Sequence, residues 1–171
     1  HIAARYDKMH LVMFGEYIPL AGLFPSLYGL SPFSGGLTAG HQPKAMKLAG
    51  TCFAPSICFE TVLPHVIRKQ VVQLTRQGCP PDVLVNLTND GWFWGSSELE
   101  MHLACAVFRA VECRKPLLVA ANSGISAWID ADGRVRRQGP RQATDTILAD
   151  VELDPRRSLY LTIGDLPAGL C

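Results

Sequence analysis

Apolar positions change their period several times along this chain, and each change marks an element. Thr51 to Cys58 is a short, mostly apolar run that stops at the Glu60-Thr61 step, which predicts a buried strand. Leu63, Val66, Ile67, Val71 and Leu74 then recur at three- and four-residue spacing, the signature of an amphipathic helix, closed here by Gly78. Asp82 to Thr88 predicts a second apolar strand, and Leu99, Leu103, Ala106, Val107, Ala110 and Val111 a second helix. Pro116 to Ala121 and Ile125 to Asp130 predict two more strands, the later one turning at Ala131-Asp132-Gly133 into Val135. Thr146 to Val151 predicts a last strand. Strand and helix alternate up to Ala121, which implies an α/β fold: a mainly parallel sheet with helices outside it, extended by an antiparallel hairpin.

One stretch follows neither period. From Tyr17 to Pro43 there is no charged residue, and Pro19, Pro25, Pro32, Gly22, Gly29, Gly35 and Gly36 interrupt any regular element. It predicts a long loop carrying Leu20, Leu23, Phe24, Leu27, Tyr28, Leu30 and Phe33. Such a loop either folds onto the core or forms a lid or docking surface for a greasy substrate.

Composition narrows the class. A chain of 171 residues, 48% of them apolar, fits one globular domain or a large piece of one. Sixteen basic against fifteen acidic residues leave a net charge of +1, so no basic field points to nucleic acid and no acidic tail to disorder. No apolar run approaches the roughly 18 to 20 residues of a membrane-spanning helix, and no signal-peptide pattern opens the chain, so the segment as given is expected to be soluble. It begins at His1, and Leu166 to Cys171 turn apolar with no helix stop, so both ends look cut from something longer. The six cysteines form no C-x-x-C pair and no His clusters with them, so neither metal nor cofactor is expected. Disulfides stay open, buried thiols are the commoner fate, and the count does not reveal the redox compartment.

Two features suggest chemistry. Cys58 ends a strand that leads into a helix, where a thiol points out of the sheet and helix amides favour its thiolate. Cys52, Cys105 and Cys113 look structural by contrast; Cys105 and Cys113 lie eight residues apart in a helical pattern. Lys8 and Glu16 stand in the stretch Tyr6 to Leu20, otherwise apolar and without helical or strand period. Flanked by Leu11, Val12, Met13 and Phe14, they are candidates for a partly buried charged pair with a role rather than solvated surface. Trp92 and Phe93 follow the Asn89-Asp90 turn, either as packing or as an aromatic wall beside the thiol. Asn86-Leu87-Thr88 matches a glycosylation sequon, but it falls within a strand pattern and is discounted.

Taken together, several motifs resemble the carbon-nitrogen hydrolase (nitrilase) superfamily and, within it, the bacterial apolipoprotein N-acyltransferases. They are Tyr6-Asp7-Lys8 to Pro19; Cys58-Phe59-Glu60; Leu87 to Phe93; the helix with His102, Arg109 and Glu112; and Asn122-Ser123-Gly124-Ile125. Tyr160 and Gly164-Asp165 resemble the segment before that family's last membrane helix. The resemblance implies a nitrilase-like α-β-β-α sandwich, of which residues 1–171 form a part, with membrane helices flanking it in the parent protein. It implies Cys58 as nucleophile, Lys8 as the cation at the oxyanion, and Glu16 as a second essential carboxylate. Glu60, Phe59, Trp92 and Asn89 become supporting or substrate-lining positions.

The activity implied is transfer of a fatty acyl chain, through a Cys thioester, from a phospholipid donor to the N-terminal diacylglyceryl-cysteine of a lipoprotein acceptor. The location implied is the outer face of the bacterial inner membrane. A soluble amidase and a catalytically inactive binding module are the alternatives. The family's general base should precede the lysine, and none of the seven residues before Lys8 is Glu, so the isolated segment is expected to be inactive. Met13, where the family usually has Pro, is a smaller departure.

Overall fold

The computed structural model describes residues 4–30, 36–93, 96–166 and 169. Phe33, with the centre of the uncharged loop, and Cys171 lie outside the described residues. The strands β1 (Met46–Leu48), β2 (Thr51–Ile57), β3 (Val83–Asn89), β4 (Leu117–Asn122), β5 (Ala127–Ile129) and β6 (Val135–Gln138) form one sheet in that order. β2, β3 and β4 run parallel, while β1 and the β5–β6 hairpin are antiparallel. Helices α1 (Pro64–Arg76) and α2 (Glu98–Cys113) fill the crossovers between the parallel strands. Successive strands are also spatial neighbours, so right-handed crossovers carry both helices to the same face.

That face holds the core. Ile67, Val71 and Leu74 of α1 and Ala106, Ala110 and Cys113 of α2 pack on Ala54, Leu84, Leu117, Ala127 and Ile129. Burying each large side chain stabilises the fold by about 1.5–3 kcal/mol. On β3 the alternate residues Val85, Leu87 and Asn89 turn to the opposite face, and Leu87 and Asn89 are exposed. The described residues thus make one sheet with one helical layer, the α-β half of the expected sandwich.

Local chemistry sets the element ends. Pro64 opens α1, where its missing N–H costs nothing, and Glu98 and Glu100 sit in the first turn of α2, where the helix dipole favours them. Pro55 is tolerated inside β2 because β1 reaches only as far as Phe53, leaving no ladder bond for Pro55 to lose on that side. A short helix, α3 (Leu159–Ile163), is tied down by Arg68, whose guanidinium donates to the carbonyls of Tyr160 (2.9 Å) and Leu161 (3.2 Å).

Two expectations are corrected. Thr146 to Val151 forms no strand: the segment has no ladder partner and Leu148 is 81% exposed. Cys52 is not a free buried thiol but is joined to Cys79 in a disulfide, linking β2 to the turn before β3. Of the two readings of the uncharged loop, folding onto the core holds, among the described residues, for Ile18, Ala21 and Pro43, whereas Leu20, Leu23 and Phe24 are exposed. Its single described element is the 3-10 turn Pro25–Leu30. Among the described residues no helix is long and apolar enough to cross a membrane.

Candidate active site

Because β2, β3 and β4 are parallel, their carboxyl ends share one edge of the sheet, where reactive groups collect in open α/β folds. The chain leaves β2 through a 3-10 turn, Cys58–Val62, and Cys58 starts it with φ +51°. This left-handed conformation costs a non-glycine residue about 1 kcal/mol or more and persists only where surroundings impose it. Here they do. The Cys58 carbonyl accepts from Asn86 Nδ2 (3.3 Å) on β3 and lies 3.2 Å from His102 Nε2 on α2. Thr61 is buried against Ser56, hydroxyl to hydroxyl at 3.1 Å.

Glu60 is the joint of the site. It is 0% exposed, and a bare carboxylate there would be untenable. Its oxygens accept from Ile57 N (2.7 Å), Met9 N (2.7 Å), His10 N (3.0 Å) and Tyr6 Oη (2.9 Å). One side chain thereby fastens the residue before Cys58 to the two residues after Lys8. Burial, then the Glu60 charge and hydrogen bond, push the Tyr6 phenol far above its usual range, so it remains a donor. Phe59 lies with its ring 6.2 Å from that of His10.

Lys8 and Glu16 form the partly buried pair that the apolar setting suggested. The Lys8 side chain is 8% exposed, and its ammonium donates to both Glu16 oxygens at 2.8 and 2.7 Å. Glu16 also accepts from Val12 N (2.8 Å), closing a tight loop. An ammonium has three N–H donors, so one is left for another acceptor. Gly40 closes over this segment, its N–H donating to Lys8 O (2.7 Å) where any Cβ would collide with the Asp7 carbonyl.

On the far side, β3 ends at Asn89, whose amide oxygen accepts from Gly91 N (3.3 Å) and from Asn122 Nδ2 (3.5 Å) on β4. Trp92 and Phe93 follow in a 3-10 turn, and the indole is 66% exposed, so Trp92 is not core packing. Asp90 is buried and takes Thr88 Oγ1 (2.7 Å) and His102 Nδ1 (3.0 Å) on one oxygen. Burial alone would raise its carboxyl, but the bonds from His102 and Thr88 outweigh it and hold Asp90 below the usual carboxylate range. Gly124 is needed because a Cβ would run into the Asp90 carboxylate.

The other thiols differ in setting. Cys113 is buried in α2 and pushed up to about 12, and burial also raises Cys105, so both are poor nucleophiles at neutral pH. Among the described residues no group of three or more His, Cys, Asp or Glu side chains is arranged to hold a metal ion.

Sequence reasoning passed over Asn86 and the Thr88–Asp90–His102 chain as site elements. Asn86 is buried, with its amide given to Ser56 Oγ (3.1 Å) and Cys58 O, which accords with discounting its sequon. The available signal was an Asn in an apolar strand two residues short of its end, together with a His on the helix that follows.

Residues 1–160 match the family model described as carbon-nitrogen hydrolase. The chain is 41% identical over 172 residues to the apolipoprotein N-acyltransferase of Rhodopirellula baltica, covering 99% of this chain and 30% of that protein. It is 38% identical over 170 residues to that of Geobacter metallireducens, covering 99% and 32%. The chain therefore spans about a third of the length of these curated relatives. A crystal structure of a carbon-nitrogen hydrolase from Helicobacter pylori superposes with TM-score 0.58 at 13% identity, over 81% of this chain and 48% of that one, a likeness of fold.

Proposed function

This chain belongs to the carbon-nitrogen hydrolase family, and from that premise we propose that it is part of the catalytic domain of a bacterial apolipoprotein N-acyltransferase. The observation that carries the proposal is the buried Glu60 carboxylate, which ties the Cys58 turn and the Lys8 segment into one hydrogen-bonded network. In the first half-reaction the Cys58 thiolate attacks the ester carbonyl of a phospholipid. The third N–H of Lys8 meets the developing oxyanion, with Glu16 holding the ammonium in place. The lysophospholipid alkoxide leaves with a proton, and the acyl chain remains on Cys58 as a thioester. In the second, the amine of a diacylglyceryl-cysteine attacks that thioester, loses a proton, and releases the thiolate with formation of an amide.

The scheme also requires a proton carrier, and none of residues 1–7 is a Glu. Trp92, Phe59 and Asn89 line the approach to Cys58. The exposed Leu20, Leu23 and Phe24 suit a surface across which lipid substrates reach the thiol from a bilayer, and favour acyl transfer over a soluble amidase. The Cys52–Cys79 disulfide fits a domain on the outer face of the bacterial inner membrane, where disulfides persist.

The test is mass spectrometry of the protein expressed from its complete gene and incubated with phospholipid. An acyl adduct on Cys58 that moves to a diacylglyceryl-cysteine peptide is the expected result. No adduct on Cys58 sinks the proposal, and release of free fatty acid with no acylated peptide makes the enzyme a hydrolase instead.

A further inference from the structure

The Cys58 carbonyl points into a buried chain of polar groups that the mechanism above does not use. Thr88 Oγ1 donates to Asp90 Oδ1 (2.7 Å), the same oxygen meets His102 Nδ1 (3.0 Å), and His102 Nε2 lies 3.2 Å from Cys58 O. The imidazole is 11% exposed and the carboxylate 4%. A carbonyl oxygen only accepts, and so does an ionised carboxylate. Both imidazole contacts are hydrogen bonds together only when each ring nitrogen carries a proton. A ring with one proton turns a lone pair on either the carboxylate or the carbonyl, at a buried site where such a mismatch is costly. Asp90 fixes the other ring nitrogen, and Gly124 lets the chain pass close behind that carboxylate.

From this geometry we infer that His102 is a positioning residue for Cys58: anchored on α2 against Asp90, it donates from Nε2 to the Cys58 carbonyl and holds the nucleophile in its left-handed turn. The bond acts on the backbone, not on the reacting atoms. Asn86 Nδ2 donates to the same carbonyl (3.3 Å) from β3, so the two side chains grip it from two elements. When the His102 bond is lost, Asn86 is the remaining side-chain donor on this carbonyl, and the turn is less firmly held against relaxation of φ +51° toward the ordinary range. Relaxation would swing Sγ away from the carbonyl it attacks, and a displacement of about 1 Å is enough to cost on the order of 100-fold in rate.

The inference rests on Cys58 being the nucleophile, and the experiment separates the two claims. The protein from its complete gene is treated with iodoacetamide, and labelling of Cys58 is followed by mass spectrometry, with Cys105 as internal reference. His102→Gln keeps a donor near the position of Nε2, whereas His102→Asn reaches only the position of Nδ1 and Asp90. We expect Cys58 labelling and kcat to fall about tenfold or more in His102→Asn with KM within twofold, and to stay within about threefold of wild type in His102→Gln. Equal losses in the two variants would mean that His102 only fills space, and would overturn the positioning role. Should His102→Asn fail to accumulate, His102→Gln decides alone: a loss beyond about tenfold overturns the role, and near-normal labelling supports it. Wild-type Cys58 labelled no faster than Cys105 would instead overturn the nucleophile reading itself.

Discussion

The 3-10 turn Cys58–Val62 and the uncharged stretch from Tyr17 to Leu30 use their residues in opposite ways. In the turn, Glu60 and Thr61 are wholly buried, and Glu60 meets four donors, one from the adjacent Ile57 and three from residues 6–10, about fifty residues away in the chain. In the stretch, Leu23 is 74% and Phe24 59% exposed, with backbone bonds from residues such as Leu23, Phe24 and Leu27 that reach three or four residues along the chain. A group that must meet a carbonyl within a fraction of an ångström needs long-range ties that over-determine its position. A surface that receives greasy substrates needs the reverse: apolar area left open to water until a partner covers it. Charge is spent on the first region and withheld from the second.

Breaking the tie at Glu60 is expected to have the largest effect. Glu60→Ala leaves four part-buried donors without their acceptor, each costing up to about 1–3 kcal/mol, and is expected to abolish Cys58 acylation and lower Tm by about 10 °C or more. Glu60→Gln, which keeps an acceptor oxygen, should lose less of both; equal damage in the two would show that the carboxylate only fills space. Lys8→Ala is expected to slow thioester formation by about 100- to 1,000-fold while iodoacetamide still labels Cys58, because the oxyanion loses its cation and the turn keeps its ties. Cys52→Ser opens a loop with a sequence separation of 27 and should cost about 3 kcal/mol of stability, read in urea melts, without changing the Cys58 labelling rate.

Leu20, Leu23 and Phe24 changed together to Ser should shift stability by less than about 0.5 kcal/mol each. They should raise KM for phospholipid in vesicles and leave Cys58 labelling intact. A drop in labelling would mean that this stretch belongs to the rigid region after all.

Asp90 gives the smallest effect, a pH dependence of stability. Its carboxyl is held below the usual range in the folded state, so folding favours its ionised form. That contribution is fully present above the unfolded value of about 3.9 and is lost as pH falls from there through the lower folded value. Urea midpoints between pH 5 and 3 should therefore fall more steeply for the wild type than for Asp90→Asn. Parallel curves would show that Asp90 is not held ionised by His102 and Thr88.

Periodicity located β2, β3, β4, α1 and α2 to within about two residues, because burial on one face leaves its repeat in the chain whatever the partner. β1, three residues long, left no repeat to read. Thr146 to Val151 shows the converse: an apolar run satisfies the strand pattern, yet a strand exists only if a neighbour offers its ladder. The charged pair was legible too, since Lys8 and Glu16 stand in an apolar stretch only eight residues apart.

By itself, then, the sequence determined the α/β alternation, the placing of Cys58 at a strand-to-helix junction and the absence of charge from 17–43, all properties of neighbours along the chain. Only the tertiary structure decided that Glu60 reaches Met9 across 51 residues, that Cys52 pairs with Cys79, and that His102 meets the Cys58 carbonyl from 44 residues away. A buried polar group must find its partner wherever the fold brings one, and that choice leaves no period in the sequence.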